Sequence, residues 1–196
     1  MELFDQFRKA CVNGCLLESQ RLYKQLFLTK ESLKLWNIFG NVCQNGHLDV
    51  AKWLHVKFQL TANDVRDFDN FALHFSCAHG HLDVVCWLCT TFQLTLRDIC
   101  SQNSLALRLA CGRGHRNVLE YLTQKYSLKK DHVCTQENES FRMACEFGHL
   151  DVVQFLDDQF KFSETDICTK DKYALKQAWK NQHWSIVKWI NEHSFK

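Results

Sequence analysis

Proline is absent from the 196 residues, and glycine occurs only seven times. A chain so short of both has little material for flexible linkers, polyproline segments or the many tight turns of a strand-rich fold, so no domain boundary is expected. Also missing is any run approaching the roughly 18 apolar residues that a membrane span needs. Met1 to Lys9 places charges where a secretory segment would be apolar. These absences predict a cytoplasmic protein that meets no membrane. A charge excess is lacking too: 24 basic against 22 acidic residues leave a net +2, too balanced for the phosphate-neutralising surface that nucleic acid demands. Two things are plentiful. Hydrophobic residues, at 46%, suffice for a continuous core, and there are eleven cysteines. With no secretory segment, so many cysteines point to thiols in a reducing compartment.

Self-similarity organises the rest. Gly-His-Leu-Asp-Val begins at Gly46, Gly80 and Gly148, and Gly-His-Arg-Asn-Val at Gly114, a constant spacing of 34; Gln182-His183 continues the series, and Gly14 begins it at a spacing of 32. In this register Trp53, Trp87, Tyr121, Phe155 and Trp189 form an aromatic column. Leu54, Leu88, Leu122, Leu156 and Ile190 form an aliphatic one beside it. In the preceding segment Leu73, Leu107, Phe141 and Leu175 are followed three positions later by the small residues Ser76, Ala110, Ala144 and Ala178, with Val42 in the same small column. Such spacing describes the buried face of a short helix, so each repeat is predicted to hold two helices. Glycine relieves the cost of a left-handed backbone between them, and Asp49, Asp83 and Asp151 suit the positive end of the second helix.

After the second helix come Thr61 with Asp64, Thr95 with Asp98 and Ser163 with Asp166. A hydroxyl followed three residues on by a carboxylate reads as a capping box, which places one extra helical turn in each linker. The fourth repeat has Lys129 and His132 instead and should turn less firmly. Two short helices cannot bury an apolar face alone, so the repeats must stack, and the end repeats must differ. At the first, Glu18 and Arg21 fill the columns of Val50 and Trp53, as a polar cap requires; at the last, Trp179 and Trp184 replace smaller residues. The predicted architecture is an all-α solenoid of about six repeats, near 1–34, 35–68, 69–102, 103–136, 137–170 and 171–196, with polar capping repeats, in one domain spanning 1–196.

Phe71-Ala-Leu-His-Phe-Ser-Cys-Ala-His-Gly-His-Leu-Asp-Val-Val85 resembles the ankyrin repeat, whose pattern TPLHxAAxxGHxxVVxxLL is matched in its second half. Thr-Pro is missing from every copy, and the usual hairpin glycine gives way to segments such as Asp67-Phe-Asp-Asn70, so blunt tips are expected in place of long hairpin fingers. The Leu-Thr-x-x-Asp linker is similar to that of variant arrays in giant DNA viruses of amoebae and some protists. The resemblance implies an interaction surface and leaves the partner unspecified.

The family pattern carries that surface onto Asp67, Phe68, Asn70, Gln102, Ser104, Gln136, Asn138, Lys170 and Lys172 at the tips, and onto His79, Arg113, Glu146, Phe147, Lys180 and Asn181 on the first helices. Phe68 and Phe147 stand out, because aromatic residues at variable positions are what binding hot spots favour, although either could pack against a neighbouring repeat. His74, Arg108, Arg142 and Lys176 share a column that reads either as a basic stripe or as a loop brace.

Catalysis finds less support. Cys11, Cys43, Cys77, Cys111 and Cys145 share one column and Cys100, Cys134 and Cys168 another, so repetition accounts for them as small packing residues. Cys86 and Cys89 have a metal or redox spacing, yet their columns elsewhere hold Lys52, Glu120 and Gln154, then His55, Thr123 and Asp157; exposed thiols are the expectation. His47, His81, His115, His149 and His183 are five equal copies at the turn, where a catalytic site needs one differentiated constellation. The expected protein is a non-enzymatic, monomeric scaffold or adaptor that binds a protein partner and needs no cofactor or metal. The alternative is an assembly protein packing against copies of itself or other structural proteins.

Overall fold

The computed structural model describes residues 2–35 and 37–193, the side chains of 35 and 169–171 excepted. Its helices gather into two compact units, Met1–Asp98 and Ile99–Lys196. The first holds α1 (Glu2–Val12), α2 (Leu16–Tyr23), α3 (Lys30–Leu35), α4 (Ile38–Gln44), α5 (Leu48–Phe58), α6 (Ala62–Ala78) and α7 (Leu82–Thr91), and α8 (Leu96–Ile99) lies at the boundary. The second holds α9 (Ser101–Gly112), α10 (Arg116–Tyr126), α11 (Lys130–Val133), α12 (Thr135–Glu146), α13 (Leu150–Phe160), α14 (Glu164–Ile167), α15 (Thr169–Lys180) and α16 (Trp184–His193). Among the described residues there is no strand, and no helix is long and apolar enough to cross a membrane.

Each repeat is a helical hairpin. In the second unit the first helices α9, α12 and α15 pack on one another in sequence, and the second helices α10, α13 and α16 form a layer behind them. The columns explain why. Leu54, Leu88, Leu122, Leu156 and Ile190 are all buried, as are Leu73, Leu107 and Phe141, and the small residues Val42, Ser76, Ala110, Ala144 and Ala178 have no exposed surface at all. Burying each large aliphatic side chain contributes about 1.5 to 3 kcal/mol, which no isolated hairpin could collect. The aromatic column is less uniform: Phe155 and Trp189 are buried, whereas Trp53, Trp87 and Tyr121 lie half-buried at the edge of the second-helix layer. At the first repeat Glu18 and Arg21 pair with each other on the outside of α2 at 2.5 Å.

The turn between the helices locks one repeat to the next. Gly46 has φ +78°, and a methyl group built on it would lie 2.6 Å from Nδ1 of His81; Gly114 has φ +75° and stands in the same relation to His149, at 2.5 Å. The glycine therefore meets two demands, a left-handed backbone and room for the following repeat's imidazole. His149 Nε2 donates to the carbonyl of Gly112 at 3.1 Å, and His183 Nε2 to that of Glu146 at 3.0 Å. Histidine-to-backbone hydrogen bonds thus join adjacent repeats.

The linker turns close as the capping boxes predict. Asp64 accepts from the backbone N–H and hydroxyl of Thr61, both at 2.7 Å; Asp98 accepts likewise from Thr95, and Asp166 from Ser163. Where the fourth repeat lacks the carboxylate, His132 Nδ1 accepts the N–H of Lys129 at 2.9 Å, so the turn still forms. The same carboxylates also receive cations from the preceding linker. Lys30 reaches Asp64 at 3.0 Å, Arg66 holds Asp98 through two bonds of 2.7 and 3.0 Å, and Lys130 reaches Asp166. The Arg66 guanidinium, helped by Thr95, holds the buried Asp98 carboxyl down at about 2. Burial works to raise the carboxyl of Asp64, but bonds from Thr61, Lys30 and Lys34 keep it well below the usual range.

Two outcomes follow. Gly114→Ala combines a strained backbone with a clash and should cost about 2 to 4 kcal/mol in chemical denaturation; adding His149→Ala should recover part of that loss, as a coupled pair requires. A carboxylate with a depressed folded-state pKa stabilises the fold above its unfolded value and loses that contribution as pH falls through the folded one. Asp98 should therefore contribute about 2 kcal/mol above pH ~4, lost between pH ~4 and ~2. Acid titration of wild type against Asp98→Asn should show that difference shrink across this window.

Candidate protein-interaction surface

The tips are left-handed. Phe68, Asp69 and Asn70 have φ of 53°, 57° and 61°; Gln102 to Ser104 and Gln136 to Asn138 repeat the pattern, and Lys172 at 62° occupies the third position of the next copy. Three successive residues in this region cost about 1 to 2 kcal/mol each outside glycine. Side chains behind the tip offset that cost. Arg142 donates from Nε to the carbonyl of Glu137 and from a terminal nitrogen to that of Gln136, both at 2.9 Å. Arg108 does the same to Asn103 at 3.0 Å and Gln102 at 3.2 Å, and also pairs with Glu139. Bonds to a charged group contribute about 1.5 to 3 kcal/mol each, enough to hold the turn. Arg108 and Arg142 of the column shared with His74 thus act as a brace; His74 and Arg142 are buried, and Arg142 lies 5.1 Å over the Tyr173 ring. Only Lys176 in that column faces outward.

The brace divides the expected contact residues. Asn70, Ser104 and Asn138 are buried, contrary to the expectation that the tip residues face a partner. At these three tips the third residue turns inward, although Lys172 at the same position of the next copy is exposed: Ser104 donates its hydroxyl to the His132 carbonyl at 2.6 Å, and Asn138 its amide to the Asp166 carbonyl at 3.0 Å. Ser104 and Asn138 thereby pin their tips to the adjoining linker, and all three residues are corrected from contact residues to buried, structural ones. Phe68, Gln102, Gln136 and Lys172 remain exposed. Asp67 is half-buried and pairs with Lys34 at 2.8 Å. Lys170 lies in α15, with its side chain outside the described residues.

On the first helices, Arg113, Phe147 and Asn181 are the C-cap residues of α9, α12 and α15, all exposed at equivalent positions in the second unit; Lys180 is exposed beside Asn181. Phe147 leaves 54% of its surface to water, as does Phe68 in the first unit. His79, the C-cap residue of α6, is half-buried, with Nδ1 donating to the Phe75 carbonyl at 2.9 Å. Glu146 is half-buried, accepting from the Tyr173 hydroxyl at 3.3 Å, while its carbonyl takes the Asn181 amide at 2.7 Å. Sequence reasoning missed the half-exposed apolar faces beside these residues. In the first unit Phe71 and Phe75 stack at 4.2 Å, and in the second Met143 lies against Gly112, where a methyl group would meet its terminal carbon at 2.6 Å. The signal was available as apolar residues four apart on the first helices, outside the core columns.

The thiols are quiet. None of the eleven is joined in a disulfide, and Cys11, Cys43, Cys77, Cys111 and Cys145 are buried. Burial pushes Cys111 up to about 12 and Cys11 to about 11, and raises Cys43 and Cys145 further, so these sulfurs stay protonated. Cys100, Cys134 and Cys168 are half-buried at the starts of first helices. Cys89 corrects the expectation of an exposed pair: it is 2% exposed, and Cys86 is half-buried. Its equivalents His55, Thr123 and Asp157 are also half-buried, so the column borders the core and a short thiol retracts into it. Among the described residues no group of three His, Cys, Asp or Glu side chains could hold a metal ion.

Repeated helical hairpins with braced tips and variable exposed C-caps define a helical-repeat protein. A family model for ankyrin repeats, in three copies, matches residues 39–135, and the chain is an ankyrin-repeat protein. Ankyrin repeats generally mediate protein–protein interaction and as a family are generally non-catalytic. No curated protein matches the sequence.

Loss of the brace should be measurable. Arg142→Ala removes both bonds to the left-handed turn from a buried site and should destabilise the protein by about 2 to 4 kcal/mol. Arg142→Lys should not restore it, because an ammonium lacks the planar fork that spans two adjacent carbonyls; equal stability of the Arg142→Lys variant and the wild type in urea would contradict the brace.

Proposed function

We propose that the chain is a non-catalytic adaptor that holds a partner protein through the exposed C-caps of its first helices and the outer residues of its tips. The observation that carries this reading is the C-cap column of the second unit. Arg113, Phe147 and Asn181 occupy one position in three successive repeats, all exposed and all chemically different, while the core columns around them repeat. Packing demands uniformity; recognition demands difference. A half-exposed phenylalanine between an arginine and an asparagine is the kind of aromatic anchor with a polar rim on which binding energy concentrates. Gln102, Gln136 and Lys172 extend this surface along the tips of the second unit, and Phe68 with Asp67 and His79 offers a corresponding patch in the first.

Rigidity supports the reading. Tips clamped by Arg108 and Arg142 lose little conformational freedom when a partner arrives, so contact energy is not spent on ordering them. Eleven cysteines without a disulfide suit a reducing compartment, and on that ground we place the protein in the cytoplasm, where it would act as a monomer.

The test is affinity purification from the native cell with quantitative mass spectrometry, comparing wild type with Arg113→Ala/Phe147→Ala. The expected result is partner recovery reduced at least about tenfold, with stability unchanged to within about 0.5 kcal/mol because both side chains are exposed. Undiminished recovery would place the binding surface elsewhere.

A further inference from the structure

The last helical hairpin turns two tryptophans toward water. Trp179 stands 34 positions after Cys145 and 68 after Cys111, both of which are completely buried, yet it is 62% exposed, and Trp184 is 53% exposed. Their rings meet edge to face at 5.0 Å and 88°. Beside them, between α15 and α16, an apolar recess is lined by Leu175, Lys176, Trp179, Val187 and Asn191. A slot that encloses a cysteine in the earlier repeats has no room for an indole, so this face is not shaped to receive a further copy of the same repeat. A pair that only sealed the core would turn its area inward, whereas more than half of each ring's residue surface faces outward. Contiguous exposed aromatic surface of this kind marks an interaction site.

Charge says what would cover it. Lys176 lines the recess, Lys180 follows one turn on beside Trp179, and Lys188 lies one turn beyond Trp184; all three are exposed. Glu192 lies 3.9 Å from Lys188. We propose that this end face docks an acidic protein segment: an apolar side chain of the segment enters the recess against Trp179 and Val187, and its carboxylates meet Lys176 and Lys188. The face adjoins the C-cap residue Asn181 but is centred on other side chains, so Arg113 and Phe147 are left outside it.

A random dodecapeptide display library, panned on the full chain with Trp179→Ala/Trp184→Ala as counter-target, tests the proposal. Enriched peptides should place acidic residues around an apolar one. Their binding should fall at least about tenfold in the double tryptophan variant and in Lys176→Glu/Lys188→Glu, and weaken as salt is raised, with Phe147→Ala neutral. The lysine variant keeps the test decisive if the tryptophan variant folds poorly, since both lysines are exposed. Failure to enrich any peptide, enrichment without acidic bias, or binding indifferent to Lys176→Glu/Lys188→Glu would overturn it. So would a concentration-dependent dimer, seen by sedimentation, that Trp184→Ala dissolves, because a second copy would then be the occupant.

Discussion

The imidazole of one repeat occupies the volume that a side chain on the preceding repeat's turn glycine would need, and the stacking within each unit is organised around that contact. Glycine at the turn takes a positive φ without strain and leaves a gap; histidine one repeat later fills that gap and donates to a carbonyl beside it. The two columns are therefore one constraint seen twice. It sets how closely successive hairpins approach, and the closeness in turn dictates the small residues Ala110, Ala144 and Ala178 on the first helices and the cysteine column one residue further on. Enlarging any of these would push the histidine off its glycine.

A second economy appears in the linkers. Asp64, Asp98 and Asp166 each cap their own helical turn and accept a cation from the linker before, so a local signal and a long-range one reside in one carboxylate. This arrangement holds the linker firmly enough to carry a left-handed tip that sequence propensity alone would reject. Ser104 and Asn138 fasten the inner ends of their tips, leaving the outer residue, Gln102 or Gln136, displayed on a fixed backbone. Stability and recognition are thereby divided between neighbouring residues of the same turn.

The repeat, its helical hairpins and its capping boxes were legible because each rests on spacing, and spacing survives translation into structure. Less legible were features that depend on direction. The tip residues are consecutive in sequence and equally polar, and only the left-handed backbone decides that Asn138 turns inward while Gln136 turns out. Arg142 left two readings open, a basic stripe or a loop brace, because its target is a pair of carbonyls, which no side-chain pattern announces. Cys89 looked exposed because its equivalents are polar, but a column at the edge of a core accepts a long polar side chain that reaches out and a short thiol that does not. In the candidate surface Arg113, Phe147 and Asn181 lie exposed at the ends of their helices, whereas His79 at the equivalent position is half-buried.

The buried cysteine column carries a consequence unrelated to packing. Cys11, Cys43 and Cys77 in one unit, and Cys111 and Cys145 in the other, are thiols with no exposed surface, one to a repeat. A thiol reagent can reach such a sulfur only when its own repeat opens, so the rate at which each is modified under native conditions measures the opening free energy of that repeat. The array thus contains its own set of local probes, evenly spaced, through which fraying at an end and cooperative opening in the middle can be told apart one hairpin at a time.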